Sequence, residues 1–198
     1  MKDTICPCRR AGCPRIGDCG ACREYHQKHQ KIAVACDRLA EKAAREYPVR
    51  RLEEAEQMQA LRLAEDVFLK TVAPGYTAEG IENYRRTLRD PEYTGTLCFY
   101  GAFRKERLIG MLATRGGGGH IALFFIAGRY RHKGLGRRLF QLAEKDCPYE
   151  KITVNAAPGA AAVYRSLGFA ETAGEQHDHG MRYLPMARPV YHERGKEQ

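Results

Sequence analysis

The chain has no tryptophan in its 198 residues, and it is short of acid: 24 Asp and Glu stand against 33 Lys and Arg, 33 − 24 = +9. It also lacks a long hydrophobic run. The strongest is Ile121-Ala122-Leu123-Phe124-Phe125-Ile126-Ala127, far short of the roughly 20 residues that cross a bilayer. The opening Met1-Lys2-Asp3-Thr4-Ile5-Cys6 has no apolar core of a secretory leader, so a cytoplasmic protein with reduced thiols is expected. No G-x-x-x-x-G-K-[ST] loop occurs, which argues against a Walker-type nucleotide site. What remains is 43% hydrophobic and 29% charged, the balance of a folded chain with an excess of cations for an anionic partner. The excess is spread along the chain and does not by itself point to nucleic acid.

Cysteine is scarce after residue 36, where only Cys98 and Cys147 occur, and dense before it. Cys6, Cys8, Cys13, Cys19 and Cys22 read C-x-C-x4-C-x5-C-x2-C, followed by His26, His29 and Cys36. Short gaps let paired thiolates converge on one ion, with Gly12, Pro14, Gly17 and Gly20 supplying turns. A segment this small buries too little apolar surface to fold alone, and a structural zinc would supply the missing energy. Disulfides or redox-sensing thiols are the competing reading, and idle reduced cysteines a third. The run Cys6-Pro7-Cys8-Arg9-Arg10 through Cys22-Arg23-Glu24-Tyr25-His26 resembles a small bacterial cysteine-rich family of uncharacterised function. That resemblance implies a metal-binding appendage with ligands among Cys6, Cys8, Cys13, Cys19, Cys22, His26 and Cys36. Cys36 equally suits a buried position on the Ala33–Glu46 helix that Pro48 ends.

The body alternates helix and strand patterns. Val49–Leu52 is a short strand, Ala55–Val72 a helix, and Thr77 caps a second helix running to Arg89. Leu97–Phe103 and Leu108–Ala113 form a hairpin across a polar turn. Gly116–Gly119 reads as a flexible connector. His120–Ala127 is apolar enough for burial on both faces at the centre of a sheet. Next comes Arg131-His132-Lys133-Gly134-Leu135-Gly136-Arg137, with Leu135, Leu139 and Leu142 at helical spacing. A glycine loop that opens a helix after a strand offers unpaired amides and the positive dipole end to a phosphate. The bland alternative is a basic turn capping a helix.

Arg131-His132-Lys133-Gly134-Leu135-Gly136 resembles the [Q/R]-x-x-G-x-[G/A] signature of the GNAT N-acetyltransferases. Lys151–Asn155, Ala161–Phe169 and Met181–Met186 follow where that family has its later elements. Gly128 departs from the family's common Pro. The resemblance implies an α/β (α+β) GNAT fold, with a mixed, mostly antiparallel sheet flanked by helices. It divides the chain into a Cys-rich module at 1–36, a helical linker at 37–47, the enzyme domain at 48–190 and a tail at 191–198. It also implies acetyl-CoA as donor and a small-molecule or peptide amine as acceptor, in a monomer or homodimer without membrane or nucleic acid. Amides from Arg131 to Arg137, those of His132, Lys133, Gly134, Leu135 and Gly136 included, would hold the pyrophosphate. The backbone of Phe125 and Ile126 would pair with pantetheine, a bulge there aiming an N–H at the thioester oxygen.

By the same resemblance, Tyr164 would protonate the departing thiolate. As a residue it equally suits a packed aromatic on an amphipathic helix. Asn155 would bond pantetheine, a water or the Tyr164 region, or else cap a turn. His120, Glu79 and Glu82 are candidate bases. His177-Asp178-His179 suits a metal or substrate loop, or a solvated turn. The contrasting reading is an adaptor whose head binds protein or nucleic acid while the body binds acyl-CoA without turnover.

Overall fold

The structure is a computed structural model that describes residues 13–15, 18–29 and 34–190. The chain divides into two units between Pro48 and Val49. The first contains α1 (Cys19–His29) and α2 (Ala35–Glu46). Gly20 therefore lies inside a helix, where the cysteine spacing suggested a turn. Cys6 and Cys8 lie outside the described residues. Cys19 opens α1, which also carries Cys22 and His26, and Cys36 lies in α2. Among the described residues no group of three or more His, Cys, Asp or Glu could hold a metal ion.

In the second unit, Arg50–Glu56 pairing and a reciprocal capping box between Glu53 and Glu56 start α3 (Glu54–Thr71). The Arg50 guanidinium, followed by the Glu53 amide, lowers the Glu56 pKa to about 2. Thr77 accepts from the Gly80 amide and starts α4 (Ala78–Arg89), as its position predicts. Such a cap contributes about 1 kcal/mol. A single turn, α5 (Pro91–Gly95), leads into the sheet.

The strands are β1 (Val49–Arg51), β2 (Cys98–Arg104), β3 (Arg107–Arg115), β4 (His120–Ile126), β5 (Lys151–Ala156), β6 (Ala170–Glu171), β7 (Gln176–Asp178) and β8 (Met181–Pro189). Their order is β1-β2-β3-β4-β5-β8-β6, with β7 on β8; every pair is antiparallel except β4 with β5. Helix α6 (Leu135–Lys145) packs on one face, and α3 with α4 on the other. Alternation sorts the side chains: Met111, Ala113 and Leu123 join the α3 core, whereas Phe124 meets α6 at Gly136. The last helix, α7 (Ala161–Ser166), precedes β6.

Two expectations change. The glycine connector is a tight turn: Gly116, Gly117 and Gly118 all have positive φ, and a Cβ on Gly119 would stand 2.9 Å from the Tyr149 ring. Strand β4 is central, but Phe124, Phe125 and Ile126 are only partly buried. The reason is that β5 leaves it.

Candidate functional site

The β4–β5 pairing consists of His120 with Thr153 and Ile121 with Val154. Beyond that point β4 keeps β3 and loses β5, opening a cleft between parallel strands. A register break opposite Ala113/Thr114 leaves Ala122 as a bulge residue, so the bulge lies at the mouth of the cleft. The Ala127 amide donates to the Ile109 carbonyl at 2.9 Å, and the ladder alternates from there. Phe125, opposite Met111, turns its N–H and C=O to β3. Phe124 and Ile126 turn theirs toward the cleft. Of the two residues expected to pair with pantetheine, Ile126 turns its backbone to the cleft and Phe125 does not, while Phe124 does. Sequence alone could not set this parity, because it depends on where the bulge falls.

The cleft runs to the N-terminus of α6. The first bond inside that helix joins the Arg138 amide to the Gly134 carbonyl, and no side chain caps it. The amides of Leu135, Gly136 and Arg137 therefore have no intrahelical acceptor. His132 (φ 59°) and Gly134 (φ 75°) are both left-handed, a backbone conformation found in anion-binding turns. A left-handed His costs about 1 kcal/mol, a strain typical of ligand loops. Gly136 meets a different need: a Cβ there would lie 3.3 Å from Phe124 Cζ. The Leu135 side chain is buried, so only its backbone faces the loop. Arg131 is exposed and donates from Nε to the Ile126 carbonyl at 3.3 Å.

The Arg137 guanidinium turns away from the loop and donates to the Ser166 carbonyl at 2.9 Å; Arg188 does the same to Leu167 at 2.7 Å. Two cations thus satisfy the C-terminal carbonyls of α7, a favourable charge at that helix end. They fix the helix that carries Tyr164. The Tyr164 ring packs edge-on against Phe124 and Phe169, with centroids 6.1 and 5.6 Å away. It is 7% exposed, and burial raises its pKa. No group among the described residues bonds its hydroxyl, which therefore remains a protonated donor without a protein acceptor. Asn155 is exposed on β5, opposite Pro185. It shares the α3 face of the sheet with His120 and Thr153.

His120 sits where β4 and β5 part, two residues before the bulge residue Ala122. At about 3.3 Å per residue it is roughly 13 Å along the strand from Phe124. His120 Nδ1 is hydrogen-bonded to Thr153 Oγ1 at 2.8 Å, and that hydroxyl lies 3.1 Å from the Gly119 carbonyl. Burial, then Arg115, lowers the His120 pKa to about 4. It is a neutral clamp at the junction where β4 and β5 part. Glu79 and Glu82 are exposed on α4. His177 and His179 are exposed at the β7–β8 turn, paired with Glu175 and Asp178. That turn docks on α4: Asn83 donates to the His179 carbonyl, and Thr77 to the Gly180 carbonyl. A Cβ on Gly80 would fall 2.3 Å from the Gly180 oxygen, so this contact requires glycine.

The family described as acetyltransferase (GNAT) domain matches residues 72–190. No curated protein matches the sequence. Among solved structures, the chain is similar to a GCN5-related N-acetyltransferase from Rhodopseudomonas palustris. The TM-score is 0.60 at 14% identity, over 72% of this chain and 94% of that one. It is also similar to the PaiA N-acetyltransferase of Thermoplasma acidophilum, solved with coenzyme A. There the TM-score is 0.58 at 20% identity, over 72% and 98% of the two chains. An N-acyl amino acid synthase from uncultured soil microbes gives 0.54 at 17%, over 73% and 90%. At such identities the likeness establishes the fold.

Proposed function

Because the chain belongs to the GNAT acetyltransferases, enzymes that move an acyl group from coenzyme A to an amine, we propose that its β4–β5 cleft and the amides at the start of α6 hold acetyl-CoA for direct transfer. The observation that carries this reading is the joining of two unsatisfied backbone surfaces. One is the edge of β4 at Phe124 and Ile126, where only the Ile126 carbonyl has a partner, the Arg131 Nε; the other is the uncapped N-terminus of α6. The first suits an extended amide-bearing arm, the second a pyrophosphate.

In this reading acetyl-CoA supplies the thioester, and the chain orients it. The cradle draws on backbone N–H groups of His132, Lys133, Gly134, Leu135, Gly136 and Arg137; that of Arg131, expected among them, donates to the Gly128 carbonyl at 3.2 Å. An amine, entering as its neutral fraction, attacks the thioester carbonyl. An N–H on the free edge of β4 stabilises the charge that grows on the carbonyl oxygen. Tyr164 donates its proton to the leaving sulfur, a role its unbonded hydroxyl supports although burial weakens it as an acid; the proton that the attacking nitrogen sheds passes through water and restores the phenol. Asn155, exposed on the adjacent β5, orients the arm. No acyl-enzyme is needed, so Cys98 and Cys147 have no part. His120, its pKa lowered by burial, is assigned no step here and acts as the clamp between β4 and β5.

Within this scheme residues 48–190 are the enzyme, residues 37–47 a linker and residues 1–36 a Cys-rich appendage. Zinc in that appendage is supported by the thiol spacing alone. The described Cys13, Cys22 and His26 do not build a site by themselves, and no step is routed through a metal. Elemental analysis of protein purified without added metal tests it: well under one zinc per chain removes the proposal. Among the described residues, no helix is long and apolar enough to cross a membrane.

A panel of small-molecule and peptide amines, followed by release of CoA thiol, tests the transfer. Acceptor-dependent release that falls in Tyr164→Phe is expected. Release that is independent of every amine would overturn the assignment.

A further inference from the structure

Beside the phosphate loop, on its β3 side, lies a second cationic feature that the transfer scheme does not use. The β2–β3 turn and the turn at Gly128–Tyr130 border a hollow of about 760 Å³, open to solvent and lined by Arg104, Lys105, Glu106, Arg107, Arg129 and Tyr130. A second hollow of about 470 Å³ adjoins it and shares Arg107, Arg129 and Tyr130. The lining holds four cations against one carboxylate. Arg107 and Arg129 have no ion pair among the described residues.

The local backbone works against folding here. Arg104 stands directly opposite Arg107 in the ladder, and like charges so placed are destabilising. Lys105 adopts a left-handed φ of 53°, in a turn where glycine would be unstrained. Tyr130, 4% exposed, reports the resulting potential. Its pKa is lowered by the hydrogen bond from Arg104 first and, against the effect of burial, by the charges of Arg129 and Arg107. Stacked cations that weaken the hairpin are expected where an anion supplies the missing charge.

We propose that Arg107 and Arg129, with Lys105, form a binding site for a small polyphosphorylated anion, separate from the donor's pyrophosphate cradle. Arginine forks suit phosphate oxygens, and the hollow is wide enough for more than one phosphoryl group. The site stands whether or not the transfer scheme holds, because none of its residues belongs to that scheme.

The test is calorimetry of the full chain saturated with CoA, with inorganic tripolyphosphate as titrant. One site is expected, weakening as salt rises. Arg107→Gln with Arg129→Gln should lower its affinity at least ~10-fold and leave CoA affinity within about twofold. Glu106→Lys should tighten tripolyphosphate several-fold, a gain that a folding defect cannot imitate. No binding to the CoA-loaded protein, displacement of CoA by the titrant, or unchanged binding in the double variant would each overturn the proposal. So would a double variant that loses affinity for CoA but not for dephospho-CoA, which would hand the cluster to the donor's ribose phosphate.

Discussion

Gly136→Ala separates stability from function more cleanly than any other change at this site. Gly136 lies in the first turn of α6 with an ordinary helical backbone. Alanine there gains helix propensity, up to about 1 kcal/mol. Its methyl would meet Phe124 Cζ at 3.3 Å, where ordinary contact begins near 3.4 Å. The ring must yield by a few tenths of an ångström, and it packs edge-on with Tyr164, whose centroid is 6.1 Å away. The thermal midpoint should therefore stay level or rise by a degree or two. The cleft wall moves, and the KM for acetyl-CoA should rise about 10-fold, equivalent to about 1.4 kcal/mol. Gly134→Ala fails differently. Nothing crowds its Cβ, but φ is 75°, so about 1 kcal/mol of strain falls on the loop. There the midpoint should drop together with donor affinity. Calorimetric unfolding and steady-state kinetics on both variants decide the matter. If Gly136→Ala keeps a wild-type KM, the α6–Phe124 contact does not border the donor.

Tyr164→Phe should lower kcat by roughly 10- to 100-fold with stability unchanged, since the hydroxyl has no protein partner to lose; an unaltered kcat at every pH would remove it from the chemistry. Arg137→Met should lower kcat several-fold while KM for acetyl-CoA moves less than about threefold, because its guanidinium holds the Ser166 carbonyl; a dominant rise in KM would place that side chain on the donor instead. His120 titrates near pH 4 when folded and near 6.5 when unfolded. As pH falls below 6.5 the unfolded chain takes the proton first, so stability is full above pH 6.5 and declines toward pH 4. With allowance for the ring's partial exposure, the loss is about 2 kcal/mol. His120→Asn should flatten that decline in urea titrations across the same range; an unchanged slope would refute the clamp.

The parts of this chain governed by local rules were legible in the sequence. Thr77 capped the helix it was expected to cap, and Gly134-Leu135-Gly136 marked a helix start after a strand. Long-range geometry was not legible. The apolar run in β4 suggested two buried faces, but half of the strand borders an open cleft. Its composition cannot show that β5 departs after Val154. The parity that trades Phe125 for Phe124 depends on one bulge residue, Ala122. The guanidinium of Arg137, whose amide was expected in the cradle, donates to the Ser166 carbonyl, 29 residues away and invisible to spacing. Likewise the four glycines read as slack, and only the position of the Tyr149 ring shows why side chains are excluded there.

The central claim is that the donor lies across the β4 edge and the α6 N-terminus. Amide chemical shifts measured while CoA is titrated into isotopically labelled full-length protein test it most directly. Gly136, Arg137, Phe124 and Ile126 are predicted to move together, saturating at sub-millimolar CoA. Binding that leaves these four amides in place while others shift, or no binding at millimolar CoA, would contradict the account.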